Sequence, residues 1–230
     1  MSKVQSPRSK VQLPQIYPIT HTRVSGLSHL EQVRRLIDGG ATWIQLRDKH
    51  ASSRDFYEQA VACIAYSRPR GASIIINDRV DIALMTDAGG VHLGQDDMPP
   101  DAARGVLGSD KIIGYSTHSV EQAIAAAELD IDYIAIGPVF ETRTKVDPDP
   151  VVGLDGIAAV RSAIGDLPLV AIGGIDGSNL ADVIRAGANS AAIIGGILRD
   201  PSGITQTTRN LLAAATVKQR SKITCTDSLR

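Results

Sequence analysis

Pro168-Leu169-Val170-Ala171-Ile172-Gly173-Gly174 and Ser190-Ala191-Ala192-Ile193-Ile194-Gly195-Gly196 are the stretches that decide the fold. Each is a short, β-rich apolar run that stops on paired glycines at or just before a helix. Toward the N-terminus, comparable runs occur at 16–19, 42–46, 73–76, 90–93, 111–114 and 132–136. Together with 168–172 and 190–194 they predict eight strands. Segments of helical period lie between them, such as 30–38 with Leu30, Val33, Leu36 and Ile37, and 53–65 with Phe56, Ala60, Val61 and Ile64. Ser119 followed by Gln122 reads as a capping box opening a helix over 120–128.

Strict β-then-α alternation implies parallel strands. It also fits a doubly wound open sheet, but no Gly-x-Gly-x-x-Gly follows the first strand, so a dinucleotide-binding sheet loses its main support. Eight β/α units favour an α/β fold closed into a (β/α)8 barrel, with its active site at the C-terminal face of the strands. The barrel is expected over 13–216. The segments 1–12 and 217–230 are polar and aperiodic, and read as disordered tails.

At 230 residues the chain suits one such domain, and its 21 glycines suit many tight turns. Aromatic residues make up 3% and the net charge is -1, which leaves neither a base-stacking platform nor a basic footprint for nucleic acid. Cys63 and Cys225 match no zinc or redox spacing and read as free thiols. No apolar run approaches membrane-spanning length, and the first dozen residues lack a signal-peptide core. A soluble, cytoplasmic protein is expected, without nucleic-acid or membrane partners; the basic, Ser-containing N-terminus also suits an organellar address. Assembly into a homo-oligomer is left open.

Polar residues that a packed core would not choose gather at the predicted C-terminal strand ends. After strand two, alternation directs Gln45, Arg47 and Lys49 to one side, where a guanidinium and an ammonium suit a diphosphate. The competing reading is an ion pair with Asp48 at the barrel rim. Asp78 follows strand three and Asp97 follows strand four; two acids facing those cations would bridge to a diphosphate through Mg²⁺. Each acid also fits a helix cap, Asp78 ahead of 79–86 and Asp97 ahead of Pro99-Pro100. Strand five leads into Ser116-Thr117-His118. His118 is an acid/base candidate or a structural residue beside a helix start, with no partner acid evident in its vicinity. The long loop after strand six carries Thr142, Arg143, Thr144 and Lys145 and reads as a lid or a solvated turn. Glycines after both of the last two strands suit a phosphate held on backbone amides.

The motifs Gln45-Leu46-Arg47-Asp48-Lys49, Asn77-Asp78, His92 to Asp97, Gly114 to His118, Gly137-Pro138 through Lys145, and Ile172 to Ile175 together resemble the thiamine phosphate synthase family over 13–213. The resemblance implies an enzyme, a transferase of thiamine biosynthesis. It would join a hydroxymethylpyrimidine diphosphate to a thiazole phosphate, giving thiamine phosphate and pyrophosphate by a dissociative, Mg²⁺-assisted substitution. It further implies that Gln45, Arg47, Lys49, Asn77, Ser116 and Lys145 contact the pyrimidine diphosphate, with Arg47 and Lys145 catalytic. Asp78 and Asp97 would hold Mg²⁺. Thr142, Arg143, Thr144, Gly174, Ile194 and Gly195 would hold the thiazole phosphate. The chain departs from the family pattern at His21, Glu141 and Gly195. Rival readings are a thiazole tautomerase on the same barrel, using His118, and a non-catalytic sensor of phosphorylated ligands.

Overall fold

The computed structural model describes residues 11–142 and 149–226. Within them run strands β1 Ile16–Pro18, β2 Trp43–Leu46, β3 Ser73–Asn77, β4 Gly90–Leu93, β5 Ile112–Thr117, β6 Tyr133–Ile136, β7 Leu169–Ile172 and β8 Ser190–Ile193. Every pairing is parallel, in the order β1-β8-β7-β6-β5-β4-β3-β2. A bridge between Ile19 and Gln45 joins β1 to β2, with the Thr20 N–H donating to the Gln45 carbonyl at 2.9 Å, so the sheet closes as the alternation predicted.

The helices are α1 Thr22–Ser25, α2 His29–Asp38, α3 Ser53–Ser67, α4 Val80–Met85, α5 Pro100–Leu107, α6 Val120–Ala126, α7 Gly153–Ile164, α8 Leu180–Arg185, α9 Gly195–Leu198 and α10 Ile204–Thr226. Short polar side chains start several of them. Ser28 and Glu31 form a reciprocal capping box on α2, and Ser52 accepts from the Asp55 N–H on α3. At α6 only half of the predicted box forms. Ser119 accepts from the Gln122 N–H, but the Gln122 side chain reaches past Ser119 to the His118 N–H at 2.7 Å. The α10 backbone stays helical beyond 216, where the sequence reading placed a tail, because 204–226 contains no glycine or proline to stop it.

Side-chain alternation divides the apolar residues between two cores. One lies between strands and helices and takes Ile44, Leu46, Ile74, Ile76, Val91, Leu93, Ile134 and Ile136. The other fills the barrel with Tyr17, Ile19, Ile75, Tyr133, Ala135, Val170 and Ala192. Fully burying each large aliphatic side chain contributes about 1.5–3 kcal/mol. The inner core is the unusual one, because two phenol hydroxyls are buried in it. Glycine makes the room: a Cβ at Gly114 on β5 would overlap the Tyr133 ring. Two residues expected on loops belong to strands instead. Asn77 ends β3 opposite His92, and Ser116 lies on β5 opposite Ala135.

Candidate active site

All eight strands point their C-terminal ends to one rim, so the residues after them share a face. On β2 the alternation holds. Gln45 is buried inside the barrel, Arg47 is half-buried above it, and exposed Lys49 brings its Nζ to 3.3 Å from Asp78 Oδ2. Asp48 turns the other way, accepting from the His50 and Ala51 N–H groups at 2.9 and 3.0 Å with Oδ2 3.4 Å from His29 Nε2. Those amides and His29 hold its carboxyl below the ordinary range despite the opposing effect of partial burial. Among the described residues neither Arg47 nor Lys49 pairs with Asp48, so the Arg47 guanidinium faces no acid partner there. Burial pulls Arg47 below its ordinary value, with Asp78 and Asp48 opposing the shift.

Neither acid caps a helix. Arg79 takes the cap position of α4 and Pro99 that of α5, and neither helix receives a side-chain cap. Asp78 sits at φ 64, a left-handed conformation uncommon outside glycine, which aims its carboxylate at the rim. Burial, and then the neighbouring Asp97 carboxyl, push the Asp78 carboxyl above its ordinary value, against Lys49. Asp97 Oδ2 also accepts from the Gly94 N–H at 2.7 Å. Two hard carboxylates side by side suit Mg²⁺, provided other oxygens complete its shell. Among the described residues no group of three or more acidic, histidine or cysteine ligands exists, so the remaining donors would be water and substrate.

Beneath this cluster runs a chain of polar side chains that sequence reasoning missed. Gln45 Nε2 donates to the Tyr17 hydroxyl at 3.3 Å, and Tyr17 lies 3.1 Å from the Tyr133 hydroxyl. Tyr133 in turn meets His92 Nδ1 at 2.9 Å, and His92 Nε2 meets Ser116 Oγ at 2.8 Å. The His92 and Tyr133 rings stack at 5.5 Å. Burial pushes His92 down to about 4 and Tyr17 up to about 12, so both are neutral near pH 7. Alternation along β1, β4 and β6 was the available signal that Tyr17, His92 and Tyr133 face inward.

The other side of the rim is built differently. Thr142 is partly exposed, whereas Arg143, Thr144 and Lys145 lie outside the described residues. The start of their loop is tied to β7, with the Val139 and Phe140 N–H groups donating to the Ile172 and Gly173 carbonyls at 2.9 and 3.1 Å. Gly173 and Gly174 take φ 106 and 65. Gly195 opens α9, preceded by Ile194, and Arg199 arches over it: a Cβ on Gly195 would lie 3.1 Å from the guanidinium Nε. Arg199 is another residue that sequence reasoning passed over.

His118 has an acid beside it after all. Its Nδ1 lies 2.7 Å from the Gly137 carbonyl and 3.4 Å from Asp149 Oδ2, a carboxylate brought back by the far end of the β6–α7 loop. After β1, the His21 backbone N–H donates to Gln32 Oε1 at 2.9 Å, and its buried Nδ1 has no partner among the described residues. The structure thus brings Gln45, Arg47, Lys49, Asn77, Asp78, Asp97 and Ser116 together on β2 to β5, and leaves Thr142, Gly174, Ile194 and Gly195 on the arc of β6 to β8. Among the described residues, no helix is long and apolar enough to cross a membrane.

The family model for thiamine monophosphate synthase matches residues 16–197. The chain is 42% identical to a thiamine-phosphate synthase of Chloroflexus aurantiacus, an alignment covering 90% of this chain and 95% of that one. It is 45% identical to one from Syntrophomonas wolfei, covering 80% and 88%. Among solved structures, a thiamine phosphate pyrophosphorylase from Pyrococcus furiosus superposes with a TM-score of 0.79 at 34% identity, covering 87% of this chain and 95% of that one.

Proposed function

The chain belongs to the thiamine monophosphate synthase family and its function is thiamine-phosphate synthesis, a transferase reaction; from that premise we propose which of its residues do what. The pyrimidine diphosphate binds the β2–β5 arc and the thiazole phosphate the β6–β8 arc. The observation that carries this division is the Lys49–Asp78–Asp97 cluster, which sets an ammonium and two carboxylates together at the rim of β2 to β4.

Arg47 and Lys49 face the diphosphate, joined by Lys145 from the loop after β6. The bond between the pyrimidine methylene carbon and the diphosphate oxygen breaks with its electron pair leaving on oxygen. The thiazole nitrogen then donates its lone pair to that carbon. No side chain need act as a nucleophile. The protein supplies cationic donors where leaving-group charge grows and keeps water from the electrophilic carbon. Asp78 and Asp97 would hold Mg²⁺, which, when bound, would neutralise charge on the departing diphosphate. The thiazole phosphate rests on backbone N–H groups around Gly174, Ile194 and Gly195, flanked by Thr142, Arg143 and Thr144, with Gly195 providing room in place of a side chain. Small phosphorylated molecules are then its partners, and a cytoplasmic setting suits their supply.

The deciding experiment incubates the full chain with both substrates and follows pyrophosphate release with and without Mg²⁺. Release that requires both substrates and the metal is expected. Binding of both substrates without release would favour the sensor, and release indifferent to Mg²⁺ would remove Asp78 and Asp97 as ligands.

A further inference from the structure

The chain from Gln45 to Ser116 has a direction, and bond counting reveals it. The Gln45 amide nitrogen can only donate, so Tyr17 accepts from it. A phenol carries one proton, and among the described residues the remaining partner for that of Tyr17 is the Tyr133 oxygen. Tyr133, accepting there, sends its own proton to His92 Nδ1. Nδ1 is then bare, so the imidazole proton sits on Nε2 and is donated to Ser116 Oγ. Ser116 has no other side-chain partner among the described residues, and its proton is left to point at a ligand. At the opposite end, Gln45 Oε1 accepts from no group among the described residues.

We propose that this one-way relay presents Ser116 to the pyrimidine diphosphate as a hydrogen-bond donor and Gln45 as an acceptor, with Tyr17, Tyr133 and His92 as positioning residues. The assignment rests on the substrate placement proposed above. It agrees with the chemistry of that ligand, whose phosphate oxygens accept and whose amine donates. A flipped Gln45 amide would reverse every bond in the chain, move the imidazole proton to Nδ1 and turn Ser116 into an acceptor. The barrel keeps the relay rigid: His92 stacks on Tyr133, Tyr17 meets Tyr133 edge-on at 6.1 Å, and Gly114 leaves the space that the Tyr133 ring fills. Within the chain, breaking any one bond leaves its neighbours unpaired, which holds the relay in one arrangement.

Nitrogen NMR of the ¹⁵N-histidine-labelled full chain, free of substrate at pH 7, reads the direction without any turnover. His92 neutral with its proton on Nε2 is expected, and a proton on Nδ1 overturns the proposal. Kinetics then read the consequence, after wild-type turnover has been established with both substrates. Tyr133→Phe should raise the KM for the pyrimidine diphosphate about tenfold, the scale of one misplaced hydrogen bond to a charged group. The KM for the thiazole phosphate should stay unchanged. Tyr17→Phe, which leaves the Tyr133-to-His92 bond in place, should cost less. The Tyr133→Phe penalty should vanish in a Ser116→Ala background; persistence at full size without that hydroxyl would show a packing effect and sink the relay. Should Tyr133→Phe not fold, the NMR of the wild type and of Tyr17→Phe still decides. A wild type that fails to turn over refutes the substrate placement and leaves the tautomer result standing.

Discussion

The arc of the rim formed by β2 to β5 is made of side chains, whereas the arc formed by β6 to β8 is made largely of backbone. On the first, Lys49 meets Asp78, Asp78 meets Asp97, and His92 meets Ser116. On the second, Gly173 and Gly174 bend at positive φ against Pro138 and Phe140, and Gly195 starts a helix of four residues. The difference separates two kinds of recognition. A metal-bound diphosphate needs charges of both signs at fixed places, while a single phosphate can be held by N–H groups that exist on every residue and need only room. The first arc should therefore suffer when side chains are removed, and the second when they are added.

The largest break should come from Asp78→Ala. Lys49 loses its partner and, on the proposed assignment, Mg²⁺ would lose one of two carboxylates, so turnover at limiting Mg²⁺ should fall on the order of a hundredfold or more, the usual cost of deleting one group that stabilises transition-state charge. Asp78 caps no helix, so the cost to the fold should stay near the ~1 kcal/mol of placing alanine at its left-handed backbone. Kinetics and thermal melts on the same preparation check this. A variant with the wild-type rate at limiting Mg²⁺ would end the metal assignment and with it the contrast between the arcs.

The side-chain arc should titrate. His92 is held down to about 4 from an ordinary 6.5 by burial. Between those values the unfolded chain binds a proton that the native protein refuses, so stability present above 6.5 drains away as pH falls toward about 4. The gap corresponds to roughly 3 kcal/mol. Burial lowers His21 and His29 too, and they add to the same trend. The His92 share is isolated by His92→Gln, which should flatten the decline seen in urea unfolding between pH 7 and 4.5. Equal slopes in variant and wild type would mean that His92 is not the buried neutral group described.

The fold was legible because apolar runs and helix caps are local. All eight strands lie within a few residues of their expected places, and Ser28, Ser52 and Ser119 begin helices as short hydroxyl residues do. On the site, the alternation of Gln45, Arg47 and Lys49 was readable, since it needs only the period of a strand. What was not readable is contact between distant strands. Tyr17 and Tyr133 are 116 residues apart, and nothing local marks two tyrosines as partners. The same holds for His118 and Asp149, which meet although α6 and β6 lie between them in the chain, and for Asp78, whose left-handed backbone and lack of a capping role no local pattern marks.

On the backbone arc, Gly174→Ala tests whether added atoms do harm. The position has φ 65, and a Cβ would come within 2.6 Å of the Glu141 carbonyl and 2.7 Å of Phe140 Cβ. Strain of that kind costs about 1–3 kcal/mol, visible as a lower melting temperature. Because the same loop would carry the thiazole phosphate, the KM for that substrate should rise while the one for the pyrimidine diphosphate holds. A simultaneous rise in both would show that the two arcs are not separable.

Gly195→Ser should have the smallest effect, and the reason separates the two glycines. Gly195 does not have positive φ, so an ordinary L residue fits its backbone without strain. The atoms that a Cβ would meet, Arg199 Nε at 3.1 Å with Cζ and Nη2 at 3.3 Å, form the far end of a flexible side chain that can swing aside. A serine there offers the phosphate one more donor, worth on the order of 1 kcal/mol net, offset by the displacement of Arg199. The KM for the thiazole phosphate should consequently stay within a few-fold of wild type, with no change in melting temperature. Gly195→Val provides the contrast: its branched side chain cannot donate and would fill the space through which a phosphate reaches the N–H groups, so it should raise that KM strongly. Titrating the two substrates separately against both variants checks the pair. Normal thiazole phosphate affinity in the valine variant would place the phosphate elsewhere on the rim, and a serine variant as impaired as valine would mean that Arg199, rather than open space, is what this position protects.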